Sequence, residues 1–135
     1  MAIQLKRAYD PPEETDGERL MVDRLWPRGL RKEAAHLSAW LKDLAPSEEL
    51  RRWFAHDPSR WLEFQERYRA ELRTPEKEDL IRQVAQKALQ GKVTLIFAAH
   101  DISHNNAVVL KAALEQYIQE HKLPPDISRP QTRRD

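Results

Sequence analysis

The sequence predicts a single-domain α/β protein in which a small, mainly parallel sheet is flanked by helices. Strand-like and helix-like segments alternate along the 135 residues, as they do in parallel α/β folds. Residues 20–22 and 93–99 form apolar runs, which are typical of strands covered on both faces. Residues 47–90 instead contain successive helical patterns, so we expect a helical segment on one side of the sheet.

The remaining strand signals are weaker than these two runs. Residues 2–9 alternate apolar and polar side chains, which predicts the first strand. Residues 19–26 predict the second strand, which includes the first of the two apolar runs. Residues 33–45 are ambiguous, because their leucines and Trp40 follow a helical spacing whereas the run before Pro46 could hold a short strand.

Residues that can cap a helix precede each helix predicted in the middle of the chain. These helices begin after Ser47, after Asp57-Pro58 and after Thr74-Pro75. A last helix is predicted over 104–122, and residues 123–135 form a polar tail rich in proline and arginine. We therefore expect one domain over 1–122 followed by a tail.

Composition excludes several function classes. The chain has 23 basic and 22 acidic side chains and a net charge of about +1, which gives no global case for binding nucleic acid or a membrane. It has no cysteine, so disulfides, thiolate metal sites and cysteine nucleophiles are excluded. No apolar run approaches the roughly 20 residues of a membrane span, and the first residues lack a signal-peptide pattern. We expect a cytoplasmic protein.

The first candidate cluster is DRLWPRG, residues 23–29, at the end of the second predicted strand. Arginine side chains hold carboxylate or phosphate groups through two hydrogen bonds, so Arg24 and Arg28 could clamp an anion. Asp23 could orient one of them or act as an acid or base. The alternative is an Asp–Arg ion pair that fixes a loop while Trp26 packs in the core.

The second candidate cluster is HDISHNN, which follows the last predicted strand. Its polar side chains are His100, Asp101, Ser103, His104, Asn105 and Asn106. The two histidines and the aspartate match a 2-His-1-carboxylate metal set, but the first histidine lies at the strand end, so we predict no metal site. A polar helix start favours an anion or polar ligand, and the alternative is plain capping of the helix.

A third cluster combines aromatic side chains with a His–Asp pair. Trp53 and Trp61 flank His56 and Asp57, and together they could wall a ligand pocket. The alternative is that Asp57 starts a helix and the tryptophans pack between helices.

Three segments in the same order resemble the domain-of-unknown-function 488 family, in its YeaO-like subgroup. They are RAYDPPEETDGERLMVDRLWPRGLRKE, WLKDLAPSEELRRWFAHDPSRWLEFQERYRAEL and VTLIFAAHDISHNNAVVL, within about residues 6–118. The resemblance implies a small, mostly bacterial, cytoplasmic α/β protein and brings no assigned function. It also makes a short strand over 40–45 as well supported as a helix.

One departure from the wider family bears on chemistry. The broader relatives that this chain resembles carry a Cys–His pair near the positions of Asn105 and Asn106, whereas this chain has no cysteine. The segment LMVDRLWP is faintly similar to rhodanese-like domains, but that enzyme class needs a cysteine, which this chain lacks. Thiol chemistry is therefore excluded for this chain.

The leading hypothesis is that the chain binds, and could act on, a small anionic ligand in a cleft at the carboxyl ends of the strands. A nucleotide or another phosphate or carboxylate would fit, with Asp23 and His100 as acid–base candidates. The ligand-binding candidates are Arg24, Trp26, Arg28, His56, Asp101, His104, Asn105 and Asn106. The sequence identifies no cofactor and no oligomeric state. On this hypothesis Arg24 and Arg28 face the HDISHNN turn.

Two alternatives belong to other function classes. A nucleic-acid-binding module would use local basic charge and Trp26 for stacking, and the near-zero net charge counts against it. Its basic residues would be Arg28, Arg31, Lys32 and the tail residues Arg129, Arg133 and Arg134. A non-catalytic interaction protein would use the same clusters only as polar braces.

Overall fold

The computed structural model describes residues 3–121 and confirms an α/β fold built on a small parallel sheet. Its four strands lie in the order β1-β4-β2-β3, and every pair is parallel. They are β1 (Ile3–Arg7), β2 (Glu18–Met21), β3 (Ala39–Trp40) and β4 (Val93–Phe97). The predicted strands over 2–9, 19–26 and 93–99 are therefore present and shorter, and the second begins one residue earlier, at Glu18.

The register of the two central strands places their carboxyl ends side by side. Met21 of β2 lies beside Ile96 of β4. One further ladder bond follows, from the Val22 N–H to the Ile96 carbonyl oxygen at 3.0 Å. The loops that leave β2 and β4 consequently start next to each other. This juxtaposition unites segments that are more than 70 residues apart in the sequence.

Five helices complete the described fold: α1 (Lys32–Ala35), α2 (Glu48–Phe54), α3 (Trp61–Glu71), α4 (Pro75–Gln90) and α5 (Asn106–His121). The predicted caps are present. Ser47 Oγ accepts from the Leu50 N–H at 3.1 Å, and Thr74 Oγ1 accepts from the Lys77 N–H at 3.3 Å. Asp57 caps a 3₁₀ turn that leads into α3. The tail over 123–135, with its three arginines, lies outside the described residues.

The helix suggested by spacing over 33–45 is wrong, and the strand lies slightly earlier than 40–45. The short α1 ends where His36 adopts a left-handed conformation, with φ 49°. The chain then pairs with β2, since the Ser38 N–H donates to Arg19 O and the Leu41 N–H donates to Met21 O. Sheet hydrogen bonds therefore satisfy this backbone, and a 3₁₀ turn follows at Lys42–Leu44.

The two faces of the sheet are covered differently. One face carries Leu20, Val22, Leu95 and Phe97, which pack against buried side chains of α2 to α5. The opposite face forms a smaller cluster of Ala8, Met21 and Ile96 beneath loop leucines. All five residues of β4 are buried, as the apolar run predicts. The helices thus cover one face and leave the carboxyl edge of the strands accessible.

No helix within residues 3–121 is long and apolar enough to cross a membrane.

Gly17 is required where the chain enters β2. Its φ is 65°, and a Cβ at this position would lie 2.2 Å from the carbonyl oxygen of Lys92. Gly17→Ala should lower the free energy of unfolding by about 1 kcal/mol or more, because the left-handed conformation and the clash both oppose a side chain. Urea denaturation measures this change.

Gly91→Ala is the matched control for that substitution. Gly91 has φ −172°, which any residue adopts, and no atom lies within 4 Å of a Cβ placed there. The unfolding free energy of Gly91→Ala should equal that of the wild type or exceed it by about 0.4–1 kcal/mol. Equal losses in the two variants would contradict the assigned role of Gly17.

Candidate functional site

The loops after β2 and β4 line a single cleft at the carboxyl edge of the sheet. Its volume is about 730 Å³. Predicted site residues among its lining are Asp23, Arg24, Trp26, His56, His100, Asp101, Asn105 and Asn106. The end of α2 and the residues after it form the facing wall. Arg28 and His104 are not part of the lining.

Asp23 occupies the junction between the two central strands. Its carboxylate accepts from the Ala98 N–H at 3.0 Å and from the Asn106 side-chain amide at 3.2 Å. The same Asn106 amide donates to the Val22 carbonyl oxygen at 2.9 Å. Burial raises the pKa of the Asp23 carboxyl, and these hydrogen bonds oppose the rise. Asp23 therefore joins β2, β4 and the start of α5.

Arg7, the last residue of β1, also holds the loop after β4. Its Nε donates to the Ala99 carbonyl oxygen at 2.9 Å, and its Nη2 donates to the Ala98 carbonyl oxygen at 3.0 Å. Ala98 is thus bonded through its carbonyl to Arg7 and through its N–H to Asp23. Both alanines line the cleft, so the floor of the cleft is held at several backbone positions.

Arg24 and Arg28 do not form the clamp that the sequence suggests. Arg24 lines the cleft, and its Nε donates to the Pro46 carbonyl oxygen at 2.7 Å. Arg28 is exposed and outside the cleft. Arg28 lies within a turn in which the Trp26 indole donates to the Leu30 carbonyl oxygen at 2.7 Å, and its own carbonyl oxygen accepts from the Tyr9 hydroxyl at 2.7 Å. The expected geometry of Arg28 is therefore wrong.

Trp26 is supported by a second tryptophan. The rings of Trp26 and Trp40 meet edge to face, with centroids 5.4 Å apart. The Trp40 indole donates to the Asp23 carbonyl oxygen at 2.7 Å. Because β3 positions Trp40, this short edge strand fixes the aromatic wall of the cleft.

The two asparagines of HDISHNN make different structural contacts. Asn105 is buried and caps α5, since its Oδ1 accepts from the Val108 N–H at 3.2 Å. Its amide nitrogen donates to the Asp101 carbonyl oxygen at 2.9 Å. Asn106 connects the start of α5 to the end of β2 through Val22 and Asp23. Both side chains line the cleft while holding its shape.

Asp101 and His104 form a local pair at the edge of the site. Asp101 Oδ2 lies 2.9 Å from His104 Nδ1, and the imidazole meets the Trp61 ring edge to face at 5.2 Å. Hydrogen bonding from the Ser103 N–H leads the contacts that lower the pKa of the Asp101 carboxyl. His100 is exposed at the mouth of the cleft. Within residues 3–121, no three histidine or carboxylate side chains converge on a metal position.

Sequence reasoning missed two arginines of the facing wall. Arg51 and Arg52 of α2 line the cleft. Their Nη2 atoms lie 3.2 and 2.8 Å from the same Glu48 carboxylate oxygen. The signal was the segment EELRRWFAH, because the helix start after Ser47 places both arginines in the turn that leads to His56.

Two consecutive residues with left-handed backbone follow α2. Ala55 has φ 47° and His56 has φ 57°, and both line the cleft. This conformation costs roughly 1–2 kcal/mol per residue when a side chain is present. It brings His56 to the cleft instead of continuing the helix. Trp53 and Trp61, by contrast, lie outside the lining.

The fold and the cleft define a class of protein: a small parallel α/β fold with a cleft at the carboxyl edge of its strands, in which a few charged side chains lie among apolar walls. A profile of the DUF488-N3i family, described as the inactive DUF488-N3 subclade, matches residues 2–132, and the chain belongs to this family. The resemblance to domain-of-unknown-function 488 proteins is thereby confirmed.

Two bacterial relatives show the extent of this similarity. The chain is 43% identical to the uncharacterized protein YeaO of Escherichia coli K12 over 110 residues, or 82% of this chain and 94% of YeaO. It is 36% identical to the uncharacterized protein Rv3073c of Mycobacterium tuberculosis H37Rv over 112 residues, or 83% and 92% of the two chains. No solved structure matches the chain significantly.

The raised pKa of Asp23 predicts a pH-dependent stability. The folded protein holds the Asp23 proton more tightly than the unfolded chain, whose aspartate pKa is near 3.8. The resulting stabilisation is complete below that value and is lost as the pH rises through the folded pKa. The unfolding free energy of the wild type minus that of Asp23→Asn should therefore decrease as the pH rises above about 4.

Urea denaturation at several pH values measures this difference. Asp10→Asn serves as the control, because Asp10 lies on an exposed loop. A difference between wild type and Asp23→Asn that stays constant with pH would show that Asp23 titrates normally in the folded protein.

Proposed function

We propose that this chain binds a small anionic molecule, such as a nucleotide or another phosphate or carboxylate, in the cleft at the carboxyl ends of β2 and β4. The observation that carries the proposal is the convergence of Arg24, Arg51 and Arg52 on one cleft. Ligands of parallel α/β folds bind at this edge of the sheet.

The charge of the lining favours an anion. Three arginines line the cleft together with two aspartates, Asp23 and Asp101. Asp23 is engaged by two donors of the protein, and Asp101 accepts from two backbone N–H groups as well as facing His104. Both carboxylates are thus hydrogen-bonded to neighbouring protein groups. The three arginines are therefore the groups of the lining that would attract an anion.

Arg51 retains donors for a ligand. One of its Nη atoms bonds Glu48 at 3.2 Å, whereas its buried Nε has no partner among the described residues. A guanidinium group offers five N–H donors in a fixed plane. Buried donors without a partner call for an acceptor such as a bound water or ion. An anionic ligand with several oxygens would supply further acceptors to this guanidinium.

The size and walls of the cleft suit a small molecule. Its volume of about 730 Å³ lies inside the range of roughly 300–1,000 Å³ that is usual for ligand pockets. Trp26, Phe54 and Phe64 contribute aromatic surface to the lining. Apolar walls with a few converging polar groups are the usual composition of such pockets.

The proposal is for binding and includes no covalent step. Asp23, an acid–base candidate, is committed to the Ala98 N–H and the Asn106 amide. The chain has no cysteine, and its family is described as inactive. These three observations support recognition of a ligand as the function of the cleft.

Calorimetric titration with a panel of nucleoside phosphates, inorganic phosphate and aromatic carboxylates tests the proposal. Arg51→Gln and Arg52→Gln should each weaken binding about tenfold or more, because a hydrogen bond to a charged group contributes about 1.5–3 kcal/mol. Higher salt should also weaken binding.

Arg82→Gln is the matched control for these variants. Arg82 forms an i,i+3 ion pair with Asp79 and is 44% exposed, as Arg51 forms one with Glu48 and is 40% exposed. It lies on α4, outside the cleft, and its replacement should leave affinity unchanged. Equal weakening by all three variants would place the anion elsewhere on the surface.

A comparison of Arg51→Gln with Arg28→Gln distinguishes binding in the cleft from binding of nucleic acid on the surface. Arg28, Arg31 and Lys32 are exposed and lie outside the cleft lining. A single-stranded oligonucleotide whose affinity falls in Arg28→Gln but not in Arg51→Gln would favour the nucleic-acid alternative over the cleft.

A further inference from the structure

We infer that His56 is an anion-binding residue of the cleft, held there by a strained turn, and that it makes the binding of the anion depend on pH. This inference rests on the proposed function and adds a titratable donor to the arginines. The ligand group that fits is a phosphate or sulfate, whose several oxygens can accept from guanidinium and imidazole N–H groups together.

The turn after α2 has a backbone conformation that side chains disfavour. Three residues other than glycine have a positive φ within residues 3–121, and two of them, Ala55 and His56, are consecutive, with φ 47° and 57°. Both line the cleft. Helices commonly end at one such residue, usually a glycine, which has no Cβ. Strained backbone of this kind clusters at ligand-binding sites, where the surrounding structure maintains it.

Hydrogen bonds on both sides of His56 hold the turn. The Ala55 N–H donates to the Arg51 carbonyl oxygen at 3.0 Å, and the Asp57 N–H donates to the Phe54 carbonyl oxygen at 2.9 Å. Asp57 then caps the 3₁₀ turn that leads into α3. The backbone of His56 is therefore fixed from both ends, although the residue itself is exposed.

The His56 imidazole has donor capacity for a ligand. Among the described residues, the histidine that pairs with a carboxylate is His104, at 2.9 Å from Asp101, and His56 makes no such pair. A neutral imidazole carries one N–H donor, and the protonated form carries two. His56 can therefore donate to an anion that the arginines attract.

The charges of the cleft link anion binding to a proton. The charged and titratable groups that line it with His56 are Asp23, Arg24, Arg51, Arg52, His100 and Asp101. Burial raises the pKa of the Asp23 carboxyl, and a positive charge on His56 is among the effects that oppose the rise, so these two side chains lie within range of each other's charge. A bound anion favours the charged form of a nearby imidazole. Anion binding should therefore take up a proton and weaken as the pH rises.

His56→Gly and Ala55→Gly separate binding from stability. Each replaces a side chain at positive φ by a glycine, which adopts this conformation without strain, so the urea midpoint of unfolding should rise in both variants. Calorimetric titration at about pH 5.5, with sulfate and with the tightest-binding anion of the panel above, should show binding weakened about tenfold in His56→Gly. Ala55→Gly should keep the wild-type affinity. A residue that only shaped the turn would not lose affinity while the fold gains stability.

The same titration at about pH 8 tests the proton linkage, because histidine changes its charge between these two pH values. The ratio of the wild-type affinity to that of His56→Gly should decrease from the lower to the higher pH. Asp23 and His100 remain in the variant, so the change in this ratio reports His56. An equal ratio at both pH values would overturn the linkage.

The two proposals fail in distinguishable ways. Anion binding that Arg51→Gln weakens and His56→Gly does not would overturn the role of His56 and leave the anion proposal standing. The absence of binding by sulfate and by every anion of the panel would remove both. A lower urea midpoint in both glycine variants would show that the turn is not strained and would overturn the reason given for the position of His56.

Discussion

The structure of the cleft depends on the hydrogen bonds of one carboxylate. The Asp23 carboxylate accepts from the N–H that follows β4 and from the amide of Asn106 at the start of α5, and its main-chain carbonyl accepts from the indole of Trp40, the last residue of β3. A buried carboxylate costs several kcal/mol unless donors surround it. The donors are present here, so the Asp23 side chain joins the two central strands to α5, and its main-chain carbonyl adds the edge strand β3.

Features that depend on neighbours in the sequence could be predicted, and features that depend on distant partners could not. The apolar run of β4 and the caps at Ser47 and Thr74 are local, and each lies where the pattern indicates. The helical spacing over 33–45 was misleading because pairing with β2 satisfied that backbone instead. The sequence left helix and strand open there, because the partner strand that decides between them is distant in the chain.

The same distinction between local and distant partners applies to the residues of the candidate site. Asp23 and Asn106 follow strands that are recognisable from the sequence, and the parallel sheet brings them together. Arg28 lies outside the cleft, within a turn that the Trp26–Leu30 hydrogen bond closes and that no spacing rule reveals. Arg51 lies on α2, which no sequence pattern connects to the ends of the strands, and only the folded structure shows it in the lining of the cleft. On the helix side, the sequence therefore predicted His56 but not the two arginines, and on the strand side it predicted the lining residues but also Arg28, which lies outside the cleft.

Arg7 donates two hydrogen bonds, to the carbonyl oxygens of Ala98 and Ala99, and they fix the wall formed by the strand ends. The two walls of the cleft therefore have different roles in recognition. The strand wall is pre-organised, so a ligand loses little free energy in ordering it but must match its fixed donors and acceptors. The helix wall presents long arginine side chains, and immobilising each costs about 0.5–1.5 kcal/mol. Under the proposed function, selectivity would consequently be set by the strands, whereas substitutions on α2 would change the strength of binding without altering which molecule is chosen.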